Sequence, residues 1–380
     1  MIVWLTSLGL LLAAMAFAGL VYTLAAAVLA ARFVCSPTRV GLSHPPVTII
    51  KPLHGASGGL LQTLQRFCDQ DYPGPVQILF GVHDAADPAV KVVERLRASR
   101  PDADIELIVD ARLHGANRKA SNLINIAARA RHGLLILSDA DILVAPDYLR
   151  QVTTALAQPG VGAVSCLYVG LSTRNLWSRL SAMGIDYQFL PSAVLGKAIG
   201  MAQPCFGSTI ALTSAVLAEI GGFAAFADHL ADDYEIGRAV RARGYRIAMP
   251  PMTVAHFCTE RSRSELIDHE LRWGRTVRQI DPAGYAGSII TYPLPLALLA
   301  AASSGFASWS LGLIALTWFA RLALKLCVDG ATGARAGPWW LMPVRDCLSF
   351  GLFLASFAVN TVGWQGRRFR VGPDGLLLQT

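Results

Sequence analysis

The stretch LLILSDAD (134–141) is an apolar run that ends on two acids. Four consecutive aliphatic residues suit a strand buried on both faces, and Ser-Asp-Ala-Asp marks its carboxyl end. The same texture recurs on the N-terminal side. VTIIKPL (47–53) is a β-branched run closed by Lys-Pro, VQILFGVHD (76–84) is a second strand and IELIVD (105–110) a third. Between them, GLLQTLQRFCDQDYPG (59–74), PAVKVVERLRASRP (88–101) and NRKASNLINIAARARHG (117–133) carry helical periodicity and stop at Pro or Gly. Strands alternating with helices over short loops predict an α/β domain, a mostly parallel sheet with helices on both faces. Ligands of such sheets sit at the carboxyl ends of the strands, which puts Asp84 and Asp141 at one cleft.

Outside this region the chain is far more apolar. Of 380 residues 53% are hydrophobic and 16% charged, against about 25% charged in soluble proteins, so membrane segments are expected. Residues Ile2 to Ala31 carry no charge and exceed the ~20 residues that span a bilayer. The run is too long, and its basic residues come too late, for a cleaved signal; residues 1–31 therefore read as an anchor. Arg32 and Arg39 follow it, and the positive-inside rule then puts the next segment in the cytoplasm. The domain is expected over 45–285. A membrane region of two to three spans follows over 286–365, and a basic tail over 366–380.

Three apolar stretches, 288–306, 309–328 and 348–364, are each long enough to cross or lie in a membrane. Arg321 and Lys325 interrupt the middle one, where a central charge costs ~3 kcal/mol, unless they snorkel to a cytoplasmic end. The tail GRRFR (366–370) argues for a cytosolic C-terminus, yet three crossings would put it outside. Either one segment is re-entrant or interfacial, or the charge rule fails here. The segment 176–201 reads equally as a helix lying in the interface or as a core helix. A net charge of +7 suits an anionic lipid surface or substrate. Without basic runs or basic-aromatic interleaving, no nucleic-acid partner is expected. Seven cysteines stand singly with no C-x-x-C pair, which fits small buried hydrophobes in a reducing compartment.

Four constellations carry chemistry. Asp139 and Asp141 are two apart on a strand, so both can face the cleft. They suit either a divalent cation bridging a diphosphate or a turn that caps the next helix. Asp232-Asp233 opens a helical stretch, where one acid suffices for the dipole and the other is available as general base toward an acceptor hydroxyl. His269, Arg272, Trp273 and Arg275 share a charged helix. Arg272 and Arg275, three apart, can grip a diphosphate, while Trp273 stacks on a sugar or packs at the membrane interface. Asn117 and Lys119 precede the D-x-D strand, at a helix start suited to phosphate or to a solvated cap. Lys51, at the end of the first strand, joins them as a donor-binding candidate.

In this order, before membrane segments, these features resemble the ceramide glucosyltransferase family of inverting GT-A glycosyltransferases over nearly the whole chain. The bacterial branch, which includes the hopanoid biosynthesis-associated enzymes, is the most similar. The resemblance implies a GT-A-type, Rossmann-like domain between N- and C-terminal transmembrane helices, in a multi-pass protein of the cytoplasmic membrane with its catalytic domain in the cytosol. It implies transfer of glucose or N-acetylglucosamine from a UDP-sugar to a hydroxyl of a membrane lipid, ceramide or a hopanoid-type polyol, with Mg2+ or Mn2+. Asp84 matches the first family aspartate, near the nucleotide. Asn117 and Lys119 match an N-x-K loop, and Asp141 with Asp139 matches the D-x-D. Asp233 matches the expected base, and Arg272-Trp273 the R-W of (Q/R)-x-x-R-W. His269 departs from that motif's Gln or Arg. Pro343, Arg345 and Asp346 resemble the family's C-terminal membrane region. A processive polysaccharide synthase and a non-catalytic nucleotide-sugar binder are the alternatives. The short membrane region and His269 weigh against the first, and the intact Asp84, Asp141 and Asp233 against the second.

Overall fold

The computed structural model describes residues 2–37, 41, 43–56, 58–173, 175–358, 361–364, 367–371 and 376–379. Arg39 and Gly366 lie outside them, as does part of the 366–380 tail. The chain forms two compact units. One holds residues 36–168, 203–259 and 375–380, and the other 1–35, 169–202 and 260–374.

The first is the sheet unit. Its seven strands run in the spatial order Asp104–Val109, Val76–Val82, Val47–Pro52, Leu134–Leu137, Ile210–Thr213, Val161–Ser165 and Arg246–Ala248. Pairing is parallel across the first four, with Ile49 opposite Ile78 and Ile136. Ile210–Thr213 alone runs antiparallel to its neighbours, and the last pair is parallel again. The sheet is therefore mostly parallel, as the alternation requires. Ile50, Leu79, Leu123, Leu135 and Ile236 are among the residues that build its core. Burying each such side chain is worth about 1.5–3 kcal/mol. Gly81 lies where a Cβ would sit 2.3 Å from Ile126, so only glycine lets the Arg118–Ala127 helix close on this strand.

The second, helical unit carries the apolar segments. Ser7–Val34 and Ser308–Thr332 are long and apolar enough to cross a membrane, and Pro282–Thr291 with Pro293–Ser303 would add a third if that pair, bent by 70°, is one span. Proline at 293 and 295 lacks the donor that would continue the preceding helix through Tyr292. Among the described residues, the 348–364 stretch holds no helix long enough to cross a membrane by itself. Its helix runs Met342–Ser356, 15 residues or about 22 Å, short of the ~30 Å hydrocarbon core. Thr361–Trp364, the end of that stretch, pairs instead as an antiparallel strand with Arg367–Val371 of the expected tail.

Arg321 and Lys325 do not snorkel. Both are buried: Arg321 forms a two-pronged bond to Asp346 at 2.8 and 2.6 Å and donates to the Tyr187 carbonyl at 2.8 Å. Lys325 pairs with Asp329 and donates to the Tyr187 hydroxyl at 3.0 Å. Pairing inside the unit removes the need to reach water. The 176–201 segment follows the core reading through its middle. Leu180, Met183, Ile185, Tyr187 and Leu190 are buried, while Leu176, Ile199 and Met201 at its ends are exposed.

Candidate active site

The D-x-D turn leaves the central Leu134–Leu137 strand and is held from several sides of the sheet unit. Asp139 donates its N–H to the Gly207 carbonyl at 3.1 Å. The N–H of Gly207 donates in turn to Asp233 Oδ2 at 3.0 Å. One glycine residue, through its N–H and its carbonyl, thus ties the D-x-D turn to Asp233. A Cβ on Gly207 would sit 2.6 Å from Asp139 Oδ2 and 3.0 Å from Lys119 Nζ, so this close approach requires glycine.

Lys119, in the first turn of the Arg118–Ala127 helix, reaches Asp139 Oδ1 at 2.7 Å and Asp232 Oδ2 at 3.5 Å. Burial disfavours its charge, but Asp139, Asp232 and Asp233 outweigh burial and hold the ammonium above its usual range. Burial raises the Asp139 carboxyl, with Lys119 opposing. Asp233 is pushed up to about 6 by burial first and then by Asp232, again against Lys119. Neither Asp232 nor Asp233 caps its helix by a side chain; both lie in the first turn of Asp232–Ala242, where the dipole favours acids. Asp233 Oδ1 accepts from the Tyr234 N–H at 2.8 Å.

Asp141 faces a residue that carried no role in the sequence reading, His256. Its Nε2 is 3.3 Å from Asp141 Oδ2, and Asp141 keeps 40% of its side chain exposed. Burial disfavours the imidazolium, but Asp141 outweighs burial and raises it well above the ordinary histidine range. The strand Thr253–Cys258 alternates, with Val254, His256 and Cys258 buried. A histidine on the buried face of an apolar strand needs a polar partner, which is the signal that TVAHFC offers.

Of three other predicted residues, two are closed off and one is open. Asn117 is fully buried and caps the Arg118–Ala127 helix. Its Oδ1 accepts from Ala120 N–H at 2.9 Å and its Nδ2 donates to the His229 carbonyl at 2.7 Å. Lys51 is also fully buried, beneath the D-x-D turn. Asp84 is exposed in the turn after Val76–Val82, its Oδ1 accepting from Ala86 N–H at 2.9 Å.

His269, Arg272, Trp273 and Arg275 belong to the helical unit, on the helix Arg263–Ile280. His269 Nδ1 lies 2.6 Å from Glu260 Oε1, which also accepts from Ser181 Oγ at 3.0 Å. Burial alone would raise Glu260, but the His269 contact outweighs it and lowers the carboxyl. The imidazole meets the Trp273 ring edge-on at 4.4 Å. Where the family motif has Gln or Arg, this chain has a histidine anchored by a buried glutamate. Glu260 was not among the sequence candidates. Glu270, on the same helix, forms a two-pronged bond to Arg345 at 2.5 and 2.8 Å.

Known proteins share both sequence and fold. Over 206 residues the chain is 25% identical to ceramide glucosyltransferase 1 of Caenorhabditis elegans, covering 54% of this chain and 44% of that protein. Over 325 residues it is 23% identical to an N-acetylglucosaminyltransferase of Bradyrhizobium diazoefficiens, covering 80% of this chain and 63% of that one. The chain thus spans about half the length of the first curated relatives it matches, 44% and 50%. Among solved structures, the mannosyltransferase PcManGT from Pyrobaculum calidifontis in complex with GDP-Man and Mn2+ superposes with a TM-score of 0.54. The identity is 23%, covering 93% of this chain and 98% of that one. That likeness establishes a GT-A-like glycosyltransferase fold. The family model described as Glycosyl transferase family 21 matches residues 11–377, and this protein accordingly belongs to that family, the ceramide glucosyltransferase family.

Proposed function

We propose that the protein transfers a hexose, glucose or N-acetylglucosamine, from a UDP-sugar to a hydroxyl of a membrane lipid, with inversion. Ceramide or a hopanoid-type polyol is the acceptor class. The observation that carries this reading is Gly207, whose carbonyl holds Asp139 and whose N–H holds Asp233. A base and a diphosphate-binding acid kept at fixed spacing are what single displacement needs.

In that step Asp233 accepts the proton of the lipid hydroxyl. The hydroxyl oxygen bonds to the anomeric carbon while the bond from that carbon to the diphosphate oxygen breaks on the opposite face. Asp233 is suited to the task because its carboxyl is pushed up to about 6, near the operating pH. Lys119 balances Asp139 and Asp232, so an incoming diphosphate meets less repulsion. The family motif also assigns Arg272 and Trp273 to the donor.

Asp141 would hold a divalent cation, with His256, whose imidazolium form Asp141 favours, beside it as an ion-pair partner and not as a ligand. Among the described residues no group of three His, Cys, Asp or Glu could hold an ion. One half-exposed carboxylate leaves the remaining positions to diphosphate oxygens and water, which suits Mn2+ or Mg2+. Such an ion supplies positive charge that steadies the departing diphosphate. The two candidate spans support residence in the membrane, and Arg32 at the end of the first supports a cytosolic sheet unit.

Membranes carrying the full chain, incubated separately with UDP-glucose, UDP-N-acetylglucosamine and GDP-mannose plus a lipid extract, provide the test. Mass spectrometry is expected to find a lipid heavier by one hexose or N-acetylhexosamine, with a UDP donor only. Long polymer chains, or no product with any donor, would overturn the reading.

A further inference from the structure

The three carbonyls of the D-x-D turn are each held by a different element. Lys51 Nζ, from the Val47–Pro52 strand, donates to the Asp139 carbonyl at 2.7 Å and to Ser138 Oγ at 3.3 Å. Thr63 Oγ1, from the Leu60–Cys68 helix, lies 2.9 Å from the Ala140 carbonyl, sharing its proton with the Leu60 carbonyl at 2.8 Å. The Phe257 N–H, from Thr253–Cys258, donates to the Asp141 carbonyl at 2.8 Å.

The surroundings favour these bonds. Lys51 is 0% exposed and Thr63 1%, so water does not compete for either donor. The Lys51 ammonium sits 3.7 Å above the ring of Phe67, itself buried, which offsets part of the cost of desolvating the cation. At the start of the Leu60–Cys68 helix, a Cβ on Gly59 would come 2.8 Å from the Phe257 ring. Gly59 has φ 94°, open to glycine at little cost. Two of the three holding elements therefore pack directly on one another.

We propose that Lys51 and Thr63 are positioning residues that fix the D-x-D backbone, so that the Asp139 and Asp141 carboxylates are presented to the donor complex, and that Lys51 does not itself touch the donor. This rests on the reading of Asp141 as the metal-bearing acid. A lysine whose nitrogen is fully buried and bonded to a main-chain oxygen acts through the turn. Partners that orient a ligand-bearing residue are worth about 10–100-fold in metal affinity.

The test uses the full chain and reads bound Mn2+ by electron paramagnetic resonance, with UDP present, beside the thermal midpoint and the split between kcat and KM. Thr63→Val removes the hydroxyl at nearly constant volume. It is expected to weaken Mn2+ binding about tenfold, and Thr63→Ser, which keeps the hydroxyl, to restore it. Lys51→Met is expected to weaken Mn2+ binding at least as much, with kcat falling more than the donor KM rises. Asp141→Asn is the control for the underlying reading. If it binds Mn2+ like the parent, the metal assignment falls and the proposal with it. If Asp141→Asn loses Mn2+ while Thr63→Val, cooperatively folded, binds it like the parent, the positioning role alone is overturned. Should Lys51→Met fail to fold, the Thr63 pair still decides.

Discussion

Asp233 lies where two demands on one carboxylate conflict. Burial and Asp232 push its proton on, at about 6, and Lys119 pulls it off. A base must be ionised, so transfer is expected to rise with pH through about 6 and to level off above it. A profile of kcat/KM flat down to pH 4.5 would remove Asp233 from that role. Asp233→Asn keeps an acceptor for a backbone N–H but cannot take a proton. Turnover should fall ~10²-fold or more while nucleotide binding, measured by calorimetry, stays near the parent value. Gly207→Ala probes the same spacing from the other side. Its Cβ would meet Asp139 Oδ2 at 2.6 Å, and its φ is not among the positive ones, so the backbone tolerates alanine. Activity should drop at least about tenfold with a thermal midpoint within a few degrees of the parent. Much of this was legible, because D-x-D and D-D announce acids at a strand end and a helix start. His256 was not, since it comes 115 positions after Asp141 in the chain and only the pairing of Ile142 with His256 brings them together. Asn117 follows the cap reading in the structure, where its bonds use both ends of its amide.

Among the elements, local pattern fixed each strand and helix better than its partners. Val47–Pro52, Val76–Val82 and Leu134–Leu137 are short β-branched or aliphatic runs separated by periodic helices, and they pair as the alternation implies. The antiparallel strand Ile210–Thr213 carries no directional mark, because period-2 alternation is the same read either way. The Met342–Ser356 helix shows the complementary failure. It covers only the first half of the 348–364 stretch, starts six residues before it, and buries Arg345, Asp346, Ser349 and Ser356, its charges spent on neighbours. Arg345 is 6% exposed and its partner Glu270 14%. Removing one member of so buried a pair leaves an uncompensated charge worth about 3–5 kcal/mol. Arg345→Ala is therefore expected to lower the thermal midpoint in detergent by several degrees, and Arg345→Ala with Glu270→Leu to recover most of the loss. If the double variant is no more stable than the single, the pair is not what holds these two helices together.

Over the whole molecule, the unit boundary and the membrane boundary were hard to tell apart in the sequence. Residues 169–202 and 260–285, expected within the sheet domain, group with the helical unit. Buried core helices and membrane helices draw on the same apolar alphabet, and only the tertiary partners separate them. The Ser7–Val34 helix shows how close that packing is. Ala16, Thr23, Ala26, Ala27 and Ala30 are buried, and a Cβ on Gly19 would lie 2.2 Å from the Ile290 carbonyl. Small residues on one helix face let neighbouring backbones approach where lipid offers no hydrophobic drive. Exposed Leu10, Leu11 and Phe17 are left for the bilayer. Sidedness then follows from the charge after the helix. Arg32 lies in its last turn and Cys35 just beyond is exposed, so the positive-inside rule predicts Cys35 on the cytosolic side. In a variant keeping only that cysteine, a membrane-impermeant maleimide should label inverted vesicles and leave intact cells unlabelled. Labelling of intact cells would invert the orientation, and the proposed transfer from a cytosolic nucleotide sugar would then lose its support.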